Sequence, residues 1–388
     1  MEDEMDGKRT ERGPMSELPE TILQFGGGRF LRAFAALFVH QANGEGQQTG
    51  RIVVVQSTEG ERARRLNAQS GRYHVLIRGI ERGEIVDRVE ESGSIRRALM
   101  AQSEWEEILA VACGPELRFV ISNTTEAGYV LDSTDRPDRT PPRSFPARLL
   151  QLLCARFESG APGLTLLPCE LIEDNAARLQ ATVLTLAHDW NLPERFRDWL
   201  QAECRWHNTL VDRIVTNAPP DHPLAQEDRL LIAAEPFAFW AIAANPEPPV
   251  LCGLPAIHQA ADIRPYFLRK VRILNGAHTA LVGKAQARGF QTVREAVLDP
   301  PVHAWLERLL FEEIVPTLEG RVEEPDAFAR QVLERFANPF LEHRIADIAV
   351  NHDKKVPIRL IPTRDEYKAK FGHTPPMLEE AITGVSRT

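Results

Sequence analysis

Apolar positions along the chain alternate between short buried runs and longer amphipathic stretches, and this rhythm predicts an α/β fold. Residues 21–25, 51–56, 117–123 and 164–168 are compact apolar runs of strand length, with a β-branched stretch at Ile52–Val55. Helical patterns lie between them at 29–42, 95–112 and 146–157, and again at 176–200 with a break at 191–193. Residues 73–80 and 84–90 alternate like a hairpin of edge strands, with Gly79 and Gly83 nearby. Residues 132–146, rich in Pro, Asp and Arg, read as a surface loop. Further helices are predicted at 268–279, 290–298, 303–315 and 327–336. The expected architecture is an N-terminal Rossmann-like dinucleotide-binding domain over 19–205, then a mostly α-helical substrate and catalytic domain over 206–388, after a disordered tail over 1–18.

The bulk numbers narrow the class. A chain of 388 residues is long for one core, so two domains are expected. A net charge of −9 argues against non-specific nucleic-acid binding and against docking on anionic membranes. Any anionic ligand must therefore meet cations concentrated locally. Five widely spaced cysteines, none in CxxC spacing, suggest neither a zinc knuckle nor a redox motif and fit a reducing, cytoplasmic setting. The first 14 residues are charged and lack the apolar stretch of a signal peptide, and no apolar run approaches membrane-spanning length.

Two stretches carry candidate chemistry. Gly26, Gly27 and Gly28 stand between a predicted strand and a predicted helix, the arrangement that lets backbone amides cradle a pyrophosphate. The third position of the GxGxxG spacing is Leu31. Arg32 is either a phosphate support or a surface arginine. The strand ending at Gln56 lacks the acid that usually binds the adenosine ribose. Gln56 itself can bond a ribose hydroxyl, and the choice between NAD and NADP stays open. In the second stretch, roughly 100° of rotation per residue puts Lys270, Asn275 and His278 within one arc of about 140° that also carries Val271, Leu274 and Leu281, with Arg269 and Arg272 on the opposite side. An amine, an amide and an imidazole on an inward face need partners. They form a base, a hydrogen-bond donor and an orienting group, or else a snorkelling lysine with two satisfied core polar groups.

The Lys270, Asn275, His278 spacing is similar to the signature of the polyol-specific long-chain dehydrogenases, which include mannitol dehydrogenase and the reductases of fructuronate and tagaturonate. Other phrases resemble the same family in the same order: Gly26-x-Gly28-x-Phe30-x-Arg32, Asn123 to Glu126, Cys169 to Asn175, His207 to Val215, Glu235 to Trp240, and the block from Arg335 to Arg359. The resemblance spans roughly residues 22–362. It implies NADH as cofactor, held by Gly26, Gly28, Phe30, Arg32, Gln56, Asn123 and Thr124. It implies Lys270 as acid/base, Asn175 and Asn275 as donors to the reacting oxygen, and His278 as orienter of a neighbouring hydroxyl. No metal is expected, and no HExxH or Cys/His ligand set is present. Asp212 and Arg213 are candidates for lining the interdomain cleft. The last block is closest to the tagaturonate-reducing members. Its His343, Lys355 and Arg359 suit a sugar-acid carboxylate, so the implied partner is a small-molecule sugar acid and the implied reaction a reversible reduction of tagaturonate to altronate. Fructuronate or a neutral polyol is the alternative substrate, and a non-catalytic nucleotide or sugar-acid binding protein is the alternative of another class. Monomer and dimer are both open. Residues 372–388 are shorter than the closing helices the resemblance leads one to expect.

Overall fold

The computed structural model describes residues 17–384 apart from 125, 245–246 and 250, so most of the expected tail lies outside the described residues. Eight strands build the first half: β1 (Glu20–Phe25), β2 (Arg51–Gln56), β3 (Tyr73–Glu81), β4 (Glu84–Ser92), β5 (Ile95–Met100), β6 (Phe119–Ser122), β7 (Thr165–Pro168) and β8 (Arg205–Trp206). Six of them form a parallel sheet in the order β5-β2-β1-β6-β7-β8. Phe25 sits between Val55 and Ser122. Strand order reverses at β1, the switch point where open α/β sheets bind ligands. Ile22, Ile52 and Val54 face one core with the helix Ala35–Gly44, while Leu23, Phe25, Val53 and Val55 face another with the helices Phe145–Glu158 and Asn175–Asp189. Burial on both faces is why these strands read as continuous apolar runs rather than alternating ones.

Two expectations are corrected. Residues 95–112 are not one helix: Ile95–Met100 is the edge strand β5, and only Trp105–Ala112 is helical. Arg, Ala, Leu and Met favour helices, but pairing with β2 buries Ile95, Ala98 and Leu99, and tertiary context prevails. The chain also does not turn helical near 206. It continues as β9 (Thr209–Asp212), β10 (Val215–Asn217), β11 (Ile232–Ala234), β12 (Phe239–Ala243) and β13 (Ile257–Ala260), and helices take over only at Arg264. β10 and β11 extend the β3–β4 hairpin into a four-stranded sheet, and β9, β12 and β13 form a third. The fold class stands: a Rossmann-type parallel sheet followed by a helical region.

The stretch around Lys270 is one long helix wound in two ways. Arg264–Arg269 and Gly276–Ala287 are α-helical, and Lys270–Asn275 between them is a π-helix. A second π segment, Leu309–Ile314, packs against it. Together they bury Ile273, Leu274, Leu281, Leu310 and Ile314 in the helical core. Arg272 does not face water either: it is buried and donates to Thr363 Oγ1 at 2.8 Å and Glu366 Oε1 at 3.1 Å. Among the described residues no helix is long and apolar enough to cross a membrane.

Candidate active site

The glycine turn is shaped for a close ligand. Gly26 has φ +114°, which strains any side-chain-bearing residue, and its N–H donates to Val55 O at 3.0 Å. A Cβ on Gly27 would meet Arg62 Cδ and Val54 Cγ1 at 3.1 Å, whereas one on Gly28 would meet nothing within 4 Å. Beyond Gly28 opens a cleft of about 590 Å³ lined by Arg29, Glu59, Arg62, Arg65 and Arg229. A bare backbone turn facing a cation-rich cleft at the sheet's switch point fits a dinucleotide.

Several residues expected to touch the cofactor are engaged with the protein itself. Arg32 is buried, donates to Gly27 O and Leu230 O, and lies over the Tyr73 ring. Burial pulls its guanidinium down to about 10. Gln56 spends its amide on Thr58 O, Gly60 O and the Ala63 N–H, and so shapes the loop after β2. Phe30 is half-buried and stacks on Phe34. Asn123 donates to Cys169 O at 2.6 Å. The Thr124 N–H and Oγ1 both donate to Glu170, whose buried carboxylate also accepts from Ser122 and Tyr129. Burial pushes the Glu170 carboxyl up. Asn123 and Thr124 therefore stand just past the end of β6, Asn123 tied to the Cys169 carbonyl and Thr124 to the Glu170 carboxylate.

Lys270 lies where the helical half meets the first half. Its Nζ donates to Val211 O at 2.7 Å and stands 3.8 Å from Asp212 Oδ1. Burial lowers its pKa; Asp212 opposes this, and Arg335 and Arg359 add to it. Arg335 bridges two buried carboxylates, donating to both oxygens of Asp212 and both of Glu235 at 2.8–3.1 Å, with Phe237 under its plane. Asp212 is pushed up by burial, but Arg335 and Lys270 outweigh this and hold it below the usual carboxylate range. Arg213 is structural, donating to the carbonyls of Glu235 and Ala33.

The π turn changes which side chains share a face. A residue whose hydrogen bond spans five positions turns roughly 80° rather than 100°, which gathers Lys270, Asn275 and His278 within an arc of about 60°. Asn275 is half-buried. His278 is buried, stacks on Phe336 at 4.1 Å and meets His343 edge-on at 4.7 Å, and its Nε2 has no partner. Burial, reinforced by His343 and Arg335, holds its pKa well below the ordinary value. Lys355 and Arg359 come from the helix His352–Arg359; Lys355 donates to Ile348 O and Arg359 to Thr279 Oγ1. The structure thus brings Lys270, Asn275, His278, Asp212, His343, Lys355 and Arg359 into one region. It does not bring Asn175 there with a free amide. Asn175 is fully buried; its Nδ2 donates to Pro168 O, Glu170 O and Thr209 O, and its Oδ1 accepts from Ala176 and Thr209 N–H.

Residues 20–250 match the mannitol dehydrogenase Rossmann domain, and residues 262–387 match the mannitol dehydrogenase C-terminal domain. The chain belongs to the mannitol dehydrogenase family. It is an oxidoreductase of that family. The altronate oxidoreductase of Halalkalibacterium halodurans is 39% identical over 379 residues, covering 94% of this chain and 74% of that protein. The altronate oxidoreductase of Bacillus subtilis is 38% identical over 381 residues, covering 94% and 78%. Among solved structures, a substrate-free D-sorbitol dehydrogenase superposes with a TM-score of 0.82 at 23% identity over 96% of this chain and 80% of its own. The Pseudomonas fluorescens mannitol 2-dehydrogenase in complex with NAD and D-mannitol does so with 0.77 at 21% over the same shares.

Around this region the mannitol dehydrogenase family member also places residues that spacing alone did not single out. Arg335 and Glu235 both lie in phrases legible as family-like, yet nothing in the sequence announces that they meet. Glu170 follows Cys169 in another such phrase, and its role appears only when β6 and β7 pair. His352 gave no signal beyond its place in the last basic block. Among the described residues, no group of three or more His, Cys, Asp and Glu side chains is placed to share a metal ion.

Proposed function

We propose that this chain is an NAD-dependent reductase of a ketouronic acid, interconverting tagaturonate and altronate, with Lys270 as acid and base. The observation that carries it is the buried amine of Lys270, lowered in pKa between Val211 O and Asp212, with Arg359 near it and both Arg359 and Lys355 acting on His278 of the same helix. The altronate oxidoreductases among its relatives support the substrate. The cofactor, when bound at the glycine turn, supplies the hydride. The chain's own residues do the rest. In reduction, Lys270 in its ammonium form gives a proton to the carbonyl oxygen as negative charge develops there, and the neutral amine takes the proton back in oxidation. Asn275 donates its amide N–H to the same oxygen. Asn175 locks β9 so that Val211 and Asp212 stay under Lys270. His278 orients a neighbouring hydroxyl. His343, Lys355 and Arg359 hold the carboxylate, Arg359 through its fork and Lys355 as a point charge. No step requires a metal.

The test is NADH oxidation with tagaturonate, fructuronate, fructose and mannitol side by side, with and without chelator. Tagaturonate reduced fastest, insensitive to chelator, is the expected result. Fastest turnover on a neutral substrate would overturn the sugar-acid assignment. Lys270→Ala should abolish turnover while NADH still binds by fluorescence titration.

A further inference from the structure

One imidazole near this site has no assigned task. His352 opens the helix His352–Arg359, which packs on the helix of Lys270 and His278. It is only 9% exposed, and neither its Nδ1 nor its Nε2 meets a hydrogen-bond partner. Lys355 and Arg359 follow at positions three and seven further on, so all three side chains share one face of the helix. Arg359 reaches Thr279 on the other helix, next to His278, whose Nε2 is also without a partner. Two packed helices thus keep bare imidazole nitrogens around the same two cations. Buried polar groups are normally hydrogen-bonded, so bare ones at a ligand site mark where a ligand supplies the partner.

The chemistry of that partner follows from the ring. Burial lowers the pKa of His352, and Lys355 beside it acts in the same direction, with Asp353 opposing. A neutral imidazole has one N–H to donate and one lone pair to accept with. The acid end of a sugar acid offers both complements on adjacent carbons: a carboxylate oxygen that accepts and a hydroxyl that donates.

We infer that His352 is a specificity-determining residue, donating to the substrate carboxylate held by Lys355 and Arg359 and accepting from the hydroxyl next to it. The assignment rests on the sugar-acid reading above. It reaches past it by naming the residue that tells an acid end from a CH2OH end.

The experiment compares wild type, His352→Phe and His352→Gln on tagaturonate and on tagatose, the ketose with CH2OH in place of the carboxylate. His352→Phe should lower the ratio of kcat/KM for tagaturonate over tagatose about tenfold, mainly through KM for the acid. His352→Gln, which keeps a donor and an acceptor, should recover part of the ratio. NADH affinity, read by fluorescence, serves as the control for folding. Equal losses on both substrates in both variants would overturn the assignment, leaving His352 a packing residue. A wild type that prefers tagaturonate, with an unchanged preference in His352→Phe, would overturn it alone. A wild type indifferent to the two substrates would overturn the sugar-acid reading, and the assignment with it.

Discussion

At the residue scale, environment decides what each polar group can do. The family resemblance implied catalytic roles for both Lys270 and Asn175, and the structure surrounds them differently. Lys270 is a buried amine whose charged form is disfavoured first by desolvation. In the role proposed for Lys270, oxidation needs the neutral amine, so altronate oxidation should rise with pH and level off above the pKa of Lys270. Tagaturonate reduction, which needs the ammonium form, should fall over the same range. That range lies below 10.5 because the shift is downward. The same sign governs stability: the unfolded chain holds this proton more tightly, so folding gains as pH rises from the folded pKa toward 10.5. Rate profiles in both directions check the prediction, and a limb that survives in Lys270→Met would exclude this residue. Asn175 makes five hydrogen bonds to backbone. Asn175→Ala should cost roughly 1–3 kcal/mol in urea denaturation, because backbone groups of β7 and β9 lose their partners. A variant as stable as wild type yet without turnover would put Asn175 on the substrate instead.

At the element scale, legibility in the sequence followed burial. The strands β1, β2, β6 and β7 were readable because both faces are buried and their letters are apolar throughout. β5 was not, because an edge strand with Arg96 and Arg97 resembles the polar face of a helix. The helix of Lys270 was readable, but its π turn was not, since a turn of five-residue hydrogen bonds leaves no mark in composition. The second π segment shows what such a turn can do for packing. It carries Glu313, buried, whose carboxylate accepts from the Met377 and Leu378 N–H at 2.8 and 2.7 Å and so caps the helix Pro376–Thr383. Glu313→Ala should destabilise the protein by roughly 1–3 kcal/mol and raise amide exchange in that helix before elsewhere. Uniform exchange across the helical region would contradict this.

At the scale of the whole molecule, the seam between the two halves is electrostatic. Asp212 and Glu235 come from the strand-rich half, and Arg335 and Lys270 from the helical half. Removing Arg335 leaves two carboxylates buried together. Arg335→Leu should cost about 3–5 kcal/mol, measured by denaturation, and the pH limb assigned to Lys270 should move upward, because a cation opposing its protonation is gone. A destabilised variant with an unmoved limb would separate Arg335 from the chemistry. The sequence pointed to Asp212 and Lys270 but not to their meeting with Glu235 and Arg335: the four residues are scattered from 212 to 335, and only the fold makes them neighbours. Their meeting also limits how the two halves can be exchanged. A chimera that joins this strand-rich half to the helical half of a relative would inherit two acids whose counter-charge the new partner must bring. Compatibility between halves would then depend less on overall similarity than on a single buried count of charges.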